Sequence, residues 1–297
     1  MPHKTAVVTG ANSGLGFGIS CALAERGYQV IMACRNLQKA ADAKQQLLTR
    51  VPGANALVIQ LDVSDLKSIA AFGEQFKAQV GALDLLINNA GIVAMPFERN
   101  SQGHEMQFAT NYLGAFALTG TMLPLFRDSG SPRIVNIGSL AHRFGKLVLD
   151  DLNWEKEEYN EWQGYARSKV AMLTFTLELD RRLKAAGSPV TALAAHPGFA
   201  NTNAGNSPSV APKGPIRRKM QAILTPLIPT ADAAARSALL AACGDSVQGG
   251  DYYGPRGLFE IGGKPGKAKL NPQCRDEVAA KQLWNISESL SGVAYLS

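Results

Sequence analysis

In the stretch YARSK, Tyr165 and Lys169 put a phenol four residues before an ammonium, in a segment that reads as helix. A free tyrosine titrates near pH 10 and a free lysine at about 10.4, so neither alone is an obvious catalyst at neutral pH. Residues i and i+4 share one helix face. A positive charge held beside a phenol favours the phenolate and lowers its pKa. A phenol tuned in this way can donate or accept a proton at a carbonyl or alcohol oxygen. Ser139, in NIGSLAH, follows an apolar run and precedes the helical segment that carries Tyr165 and Lys169. YARSK read alone would be a surface pair; the rest of the chain gives it a setting.

The stretch TGANSGLGFG (9–18) follows an apolar run and opens a helical one. Gly10, Gly14 and Gly16 have the spacing G-xxx-G-x-G, a variant of the dinucleotide fingerprint G-x-G-x-x-G. Glycines here allow a tight turn, close approach of backbone to a pyrophosphate, and an anion at the helix N-terminus. Gly10, Asn12, Ser13, Gly14, Leu15 and Gly16 are the expected cofactor contacts of this loop. The second apolar run ends MACRN. Cys34 stands where an acidic residue would hold the ribose hydroxyl of NAD, and Arg35, followed by Asn36, suits the 2′-phosphate of NADP through paired hydrogen bonds. The expected cofactor is therefore NADP(H). Asp62 and Val63, in LDVSD, fall where an adenine would lie. Asn89, Ala90 and Gly91, in NNAG, are small enough to pack against a cofactor.

These groups need a scaffold that gathers strand ends. Continuous apolar runs at 5–9, 29–33, 56–61, 84–88, 133–137, 190–195 and 251–254 read as strands buried on both faces. Helical segments at 15–26, 37–50, 65–80, 104–126 and 160–186 alternate with them, the first closed by Gly27 and the last by Gly187. Strand–helix alternation predicts a doubly wound α/β fold with a parallel sheet, in one domain spanning 1–297. In such sheets ligands bind beyond the carboxyl ends of the strands. Gly10, Arg35, Asp62, Asn89, Ser139 and Pro197 all fall there. The loop and Pro-interrupted amphipathic stretch over 200–230 reads as a substrate lid.

The chain's 297 residues carry 46% hydrophobic and 18% charged side chains, which argues against disorder. No apolar run reaches the roughly 18 residues of a membrane span, and the early β-type run leaves no signal-peptide pattern, so a cytoplasmic protein without integral membrane association is expected. The four cysteines are scattered without metal-ligand spacing, giving reduced core thiols and no metal site. Net charge is +6, but its basic residues are dispersed, with local clusters only at 213–219 and 264–269. Solvated loops are favoured over nucleic-acid binding.

Together these motifs resemble the short-chain dehydrogenase/reductase family, over about 250 residues from Thr5 to the strand at 251–254. The resemblance implies a seven-stranded Rossmann sheet in the order 3-2-1-4-5-6-7. It implies that Tyr165 transfers the proton, Lys169 holds the nicotinamide ribose, Ser139 binds the substrate oxygen and Asn111, in FATNYLGAF, anchors a relay water. HPGFANT matches the family's PG motif, with Pro197, Gly198 and Thr202 near the carboxamide and phosphates. VIMACRN, SLAHRFGK, DDLNWE and LWNISESLSGV look like the retinol dehydrogenase-like group. Protochlorophyllide oxidoreductases share the first and last of these, but the chain has NNAG rather than a CNAA-like motif and no cysteine after HPGF. The implied reaction is NADP(H)-dependent interconversion of an apolar, fairly large small-molecule carbonyl and its alcohol. A cofactor-binding regulator without chemistry, or a C=C reductase, is the alternative. The family pairs long helices into homodimers or homotetramers, a pairing that a C-terminal extension at 255–297 would obstruct.

Overall fold

The computed structural model describes residues 4–128, 130–198, 230–260 and 262–296. Strands β1 (Thr5–Thr9), β2 (Gln29–Cys34), β3 (Ala56–Gln60), β4 (Leu85–Asn88), β5 (Arg133–Ile137), β6 (Thr191–Ala195) and β7 (Tyr252–Pro255) pair in parallel, in the order 3-2-1-4-5-6-7. The sheet is one strand wider than the resemblance implies. An eighth strand, β8 (Pro265–Lys267), joins β7 antiparallel at the edge. It falls inside a basic stretch, KPGKAK, whose proline and glycine hide a strand. Lys267 there is tied to Asp251 at 2.9 Å, so this cluster is partly an internal ion pair.

Why the strands read as unbroken apolar runs is visible in the two cores. Val7, Ile31, Leu86, Ile134 and Ala192 point to one face, and their neighbours Ala6, Val8, Val30, Met32, Leu85, Ile87, Val135 and Leu193 point to the other. Side chains alternate along a strand, so a sheet covered on both faces needs apolar residues at every position. The second face is covered by α1 (Gly14–Ala24), α2 (Leu37–Arg50) and α6 (Ala231–Cys243), through Ile19, Leu23, Leu47, Ala234 and Ala238. The first face carries α3 (Leu66–Gln79), α4 (residues 106–122), α5 (Glu161–Ala185) and α7 (Glu277–Ser291).

Short polar side chains start these helices by accepting from backbone N–H groups that have no partner inside the helix. Asp65 accepts from Lys67, Asn160 from Gln163, Thr230 from Ala233 and Asp276 from Val278 and Ala279. The helix expected over 104–126 is not uniform. It opens as Met106–Phe108, widens into a π-turn at Ala109–Leu113, and resumes over Gly114–Met122. Helix α7 lies against α4 and α5, with Trp284 fully buried among Phe116, Phe175 and Tyr295. The described thiols are free, and Cys21, Cys34 and Cys274 are buried. No described helix is long and apolar enough to cross a membrane.

Candidate active site

The glycine-rich loop is stitched to the end of β4 by Thr9. Its hydroxyl donates to the Ile87 carbonyl at 3.3 Å and accepts from the backbone N–H groups of Asn89 at 2.9 Å and Ala90 at 2.8 Å. The Asn89 side chain returns a bond to the Thr9 carbonyl at 2.7 Å. The loop must then turn sharply. Gly10 takes a φ of 64°, where a side chain would be strained. A Cβ on Gly16 would come within 2.4 Å of the Gly10 carbonyl oxygen and 2.5 Å of Asn89 Nδ2. The close approach of loop, helix and strand end leaves no space for a side chain. The first turn of α1 holds no acidic residue that would compete for an anion at its N-terminus. Beneath the loop, backbone N–H groups of Ala11 and Asn12 face the Cys34 sulfur, whose pKa burial pushes up to about 11. Cys34 is thus a neutral floor to the loop.

Arg35 projects from the end of β2 with 77% of its side chain exposed, 3.7 Å from the Asp62 carboxylate. An exposed pair of this kind is weak, so the guanidinium remains available to a phosphate. Asp62 is turned the other way as well, accepting from the Ser64 backbone at 3.0 Å and hydroxyl at 2.6 Å. Two expected contacts also have structural duties. The Asn36 side chain caps α2 by accepting from Lys39 at 2.9 Å. The Val63 carbonyl rests on Gly114, where any Cβ would overlap it.

At the end of β5 the chain breaks into a short 3-10 turn, Leu140–Arg143, capped by the Ser139 hydroxyl, which accepts from Ala141 at 3.2 Å. The Ser139 side chain is also hydrogen bonded to Tyr165 from the first turns of α5. Lys169, one turn on, is only 4% exposed and donates from Nζ to the Ile137 carbonyl at 2.8 Å. Asn111 sits in the π-turn of α4. Its Oδ1 accepts from Ile92 at 2.7 Å, while Nδ2 donates to the Ile92 carbonyl and to Ser168 Oγ, both at 2.9 Å. The extra residue of a π-turn re-aims side chains, and such turns recur at functional sites. Here it lets one amide hold the irregular segment following NNAG and the helix that carries Tyr165.

The electrostatics differ from the sequence-based expectation. Burial raises the Tyr165 pKa, and the Ser139 hydrogen bond opposes this only in part. Lys169 Nζ stands 5.8 Å from the centre of the Tyr165 ring and donates to the Ile137 carbonyl. Desolvation instead lowers Lys169 itself to about 8, because an ammonium loses more in leaving water than one carbonyl returns. Lysine burial therefore weakens the fold wherever the ammonium is charged in both states. Below pH 8 that cost is complete; between about 8 and 10.5 the folded lysine is neutral while the unfolded one still binds a proton, so the cost fades. Lys169→Met should accordingly be more stable than wild type at pH 7. That advantage should shrink by about 3 kcal/mol by pH 10.5, read from urea unfolding across the range. An advantage independent of pH would contradict the depressed lysine.

Pro197 and Gly198 follow β6, beside the other strand ends, and the Gly198 N–H donates to His196 Nδ1 at 3.2 Å. Thr202 and the expected lid, up to residue 229, lie outside the described residues, as does the cluster at 213–219. Sequence reasoning missed Thr9, His142, His196, Tyr252 and Glu260. Thr9 was readable as the residue that opens the glycine motif. The others belong to long-range contacts: His142 Nδ1 and the Tyr252 hydroxyl both donate to the Ser139 carbonyl. No metal-binding group of His, Cys, Asp or Glu occurs among the described residues.

Residues 4–209 match the family model described as short chain dehydrogenase. Human "Retinol dehydrogenase 13" is 36% identical over 295 residues, covering 99% of this chain and 86% of that protein. Human "Retinol dehydrogenase 11" is 35% identical, with 99% and 87% covered. Among solved structures, a Mycobacterium paratuberculosis protein superposes with a TM-score of 0.80 at 38% identity, covering 98% of this chain and 94% of that one. A Pseudomonas aeruginosa structure, the "RhlG/NADP active-site complex", shares the fold with a TM-score of 0.64 at 22% identity, covering 84% and 93%. A sheet that gathers a glycine-rich turn, a Ser–Tyr hydrogen bond and a buried lysine at its carboxyl edge agrees with those likenesses. The chain belongs to the short-chain dehydrogenase/reductase family, oxidoreductases that use nicotinamide cofactors on alcohol and carbonyl groups.

Proposed function

We propose that this protein is an NADP(H)-dependent oxidoreductase that interconverts an apolar, fairly large carbonyl compound and its alcohol. The observation that carries the reading is the hydrogen-bonded Ser139–Tyr165 pair beside buried Lys169, one strand end from the glycine-rich turn. Gly10, Asn12, Ser13, Gly14, Leu15 and Gly16 would hold the cofactor's pyrophosphate, Arg35 its 2′-phosphate, and Asp62 and Val63 its adenine. Asn89 to Gly91 and Pro197 to Gly198 would flank the rest. When bound, the nicotinamide supplies or takes up the hydride.

The protein's own groups handle the oxygen. In reduction, the Tyr165 O–H gives its proton to the substrate oxygen, and the Ser139 hydroxyl donates to that oxygen as charge gathers on it. The raised pKa of Tyr165 keeps this proton in place at neutral pH. Lys169, with a pKa of about 8, stands ready to stabilise the phenolate that results. Asn111 keeps α5 in register with the segment after β4. The names of the curated relatives make retinal and retinol the first pair to assay. Cover of α4 and α5 by α7 favours a single copy over the expected homodimer or homotetramer.

Turnover of retinal and bulky aryl ketones with NADPH, in parallel with NADH, tests the reading. Arg35→Asp separates the cofactors. It should weaken NADPH by about 1.5–3 kcal/mol, the scale of a lost charge-assisted hydrogen bond, and NADH much less. Titration by quenching of protein fluorescence reads both; equal weakening would overturn the 2′-phosphate role.

A further inference from the structure

A second polar cluster lies behind the Ser139 turn and draws in the C-terminal extension. Glu260 is its centre. Glu260 Oε2 accepts an ion pair from Arg143 Nη2 at 2.6 Å and lies 3.1 Å from His196 Nε2, while Oε1 accepts from the Lys269 backbone at 3.3 Å. The Gly198 N–H can only donate, so His196 Nδ1 accepts, and Nε2 must carry the hydrogen that reaches Glu260. Burial holds His196 neutral, its pKa pushed below the usual histidine range despite the carboxylate beside it. On the other side, Arg143 ends the 3-10 turn that begins at Ser139. His142, next to it, donates to the Ser139 carbonyl and packs edge-on against Tyr252, whose hydroxyl reaches the same carbonyl at 3.4 Å. The His196 ring lies 5.1 Å from Tyr252, completing the packing.

One carboxylate thus joins two turns that belong to different strands. The chain adopts an unfavourable backbone to deliver it: Phe259 and Glu260 both have positive φ, 54° and 59°. Consecutive left-handed residues that are not glycine are costly and persist only where contacts over-determine them.

We infer that Glu260 is a positioning residue for both halves of the site, fixing the Ser139 turn through Arg143 and the Pro197–Gly198 turn through His196. The inference rests on the proposed roles of Ser139 and Gly198. It assigns to the C-terminal extension a part in setting the site's geometry, with Glu260 acting through Arg143 and His196.

The two arms can be separated. In Glu260→Gln the amide oxygen still accepts from His196 Nε2, but the charge that anchors Arg143 is gone. Glu260→Ala removes both. Glu260→Gln should lower kcat about tenfold, on the scale of one lost charge-assisted bond, while the Kd for NADPH stays within about twofold. Glu260→Ala should show the same loss of kcat together with a several-fold rise in Kd. Where Glu260→Ala does not fold, the split between kcat and Kd in Glu260→Gln carries the test. Wild-type kcat and Kd in both variants would overturn the inference. So would parallel losses that track a fall in Tm, since that marks support of the fold alone. Tyr165→Phe, measured beside them, keeps the failures apart. A wild-type protein that neither binds nor consumes NADPH refutes the functional reading itself, whereas normal wild-type turnover leaves the Glu260 variants to decide the inference.

Discussion

Tyr165→Phe is expected to lower turnover by about 10²–10⁴-fold, the range supplied by a positioned proton donor, and to leave NADPH affinity within a few-fold. The substitution removes one hydroxyl and keeps the ring. Among the described residues its hydrogen-bond partner is Ser139, so the fold should survive, as near-ultraviolet circular dichroism would show. The direction of the Tyr165 pKa adds a pH signature. Because burial raises it, the phenol is protonated throughout neutral pH, and reduction should hold its rate there and decline only on the alkaline side. Oxidation of the alcohol needs the phenolate and should rise with pH over the same interval. Retained turnover in Tyr165→Phe, or a reduction rate that climbs with pH, would remove the tyrosine from its proposed role.

Trp284→Ala should be the most damaging single change to stability, by about 3–5 kcal/mol. Trp284 is 1% exposed and meets Tyr295 at 4.8 Å, Phe116 at 5.1 Å and Phe175 at 5.8 Å between ring centres, with the Arg182 guanidinium 4.3 Å from its own ring. It is the main apolar link between α7 and the helices α4 and α5. Removing it leaves a cavity that rigid aromatic neighbours cannot close. The Ser139–Tyr165–Lys169 group lies at the N-terminal part of α5, away from Phe175, so kcat of the folded variant at low temperature should stay near wild type. Urea unfolding reads the first claim and turnover the second. A loss below about 1 kcal/mol would mean that α7 is not part of the cooperative core.

How much of this was legible in the sequence depended on the range of the interactions involved. The seven parallel strands stood out because burial on both faces forces unbroken apolar runs such as QVIMA and RIVNI. The strand β8 did not, since a three-residue edge strand written PGK follows no period and is fixed by pairing with β7. Glycine spacing and the Tyr–Lys interval point to a candidate site because each is local geometry written in residue types. The depth at which the lysine is buried was not legible, for the opposite reason. Which carbonyl captures Nζ, and how deeply it is buried, are decided by β5 and α4, far away in sequence. The Ala-rich helix α6 and the helix α7 carry caps in Thr230 and Asp276, but neither follows a strand signal strong enough to set it off from the segments read as lid and extension. The Glu260 cluster joins residues 143, 196 and 260, and no periodicity brings these together.

The central claim is hydride transfer from NADPH to a carbonyl carbon with Tyr165 supplying the proton. The most direct measurement uses NADPH carrying deuterium on both faces of nicotinamide C4, incubated with retinal and the wild-type protein, and mass spectrometry of the product. The account predicts one deuterium on the carbonyl carbon of the retinol formed, far less product with unlabelled or labelled NADH, and a yield lowered by about 10²–10⁴-fold with Tyr165→Phe. Tight NADPH binding without deuterated product from retinal or from any bulky carbonyl in its place would contradict it, and would leave a protein that senses the cofactor without using it.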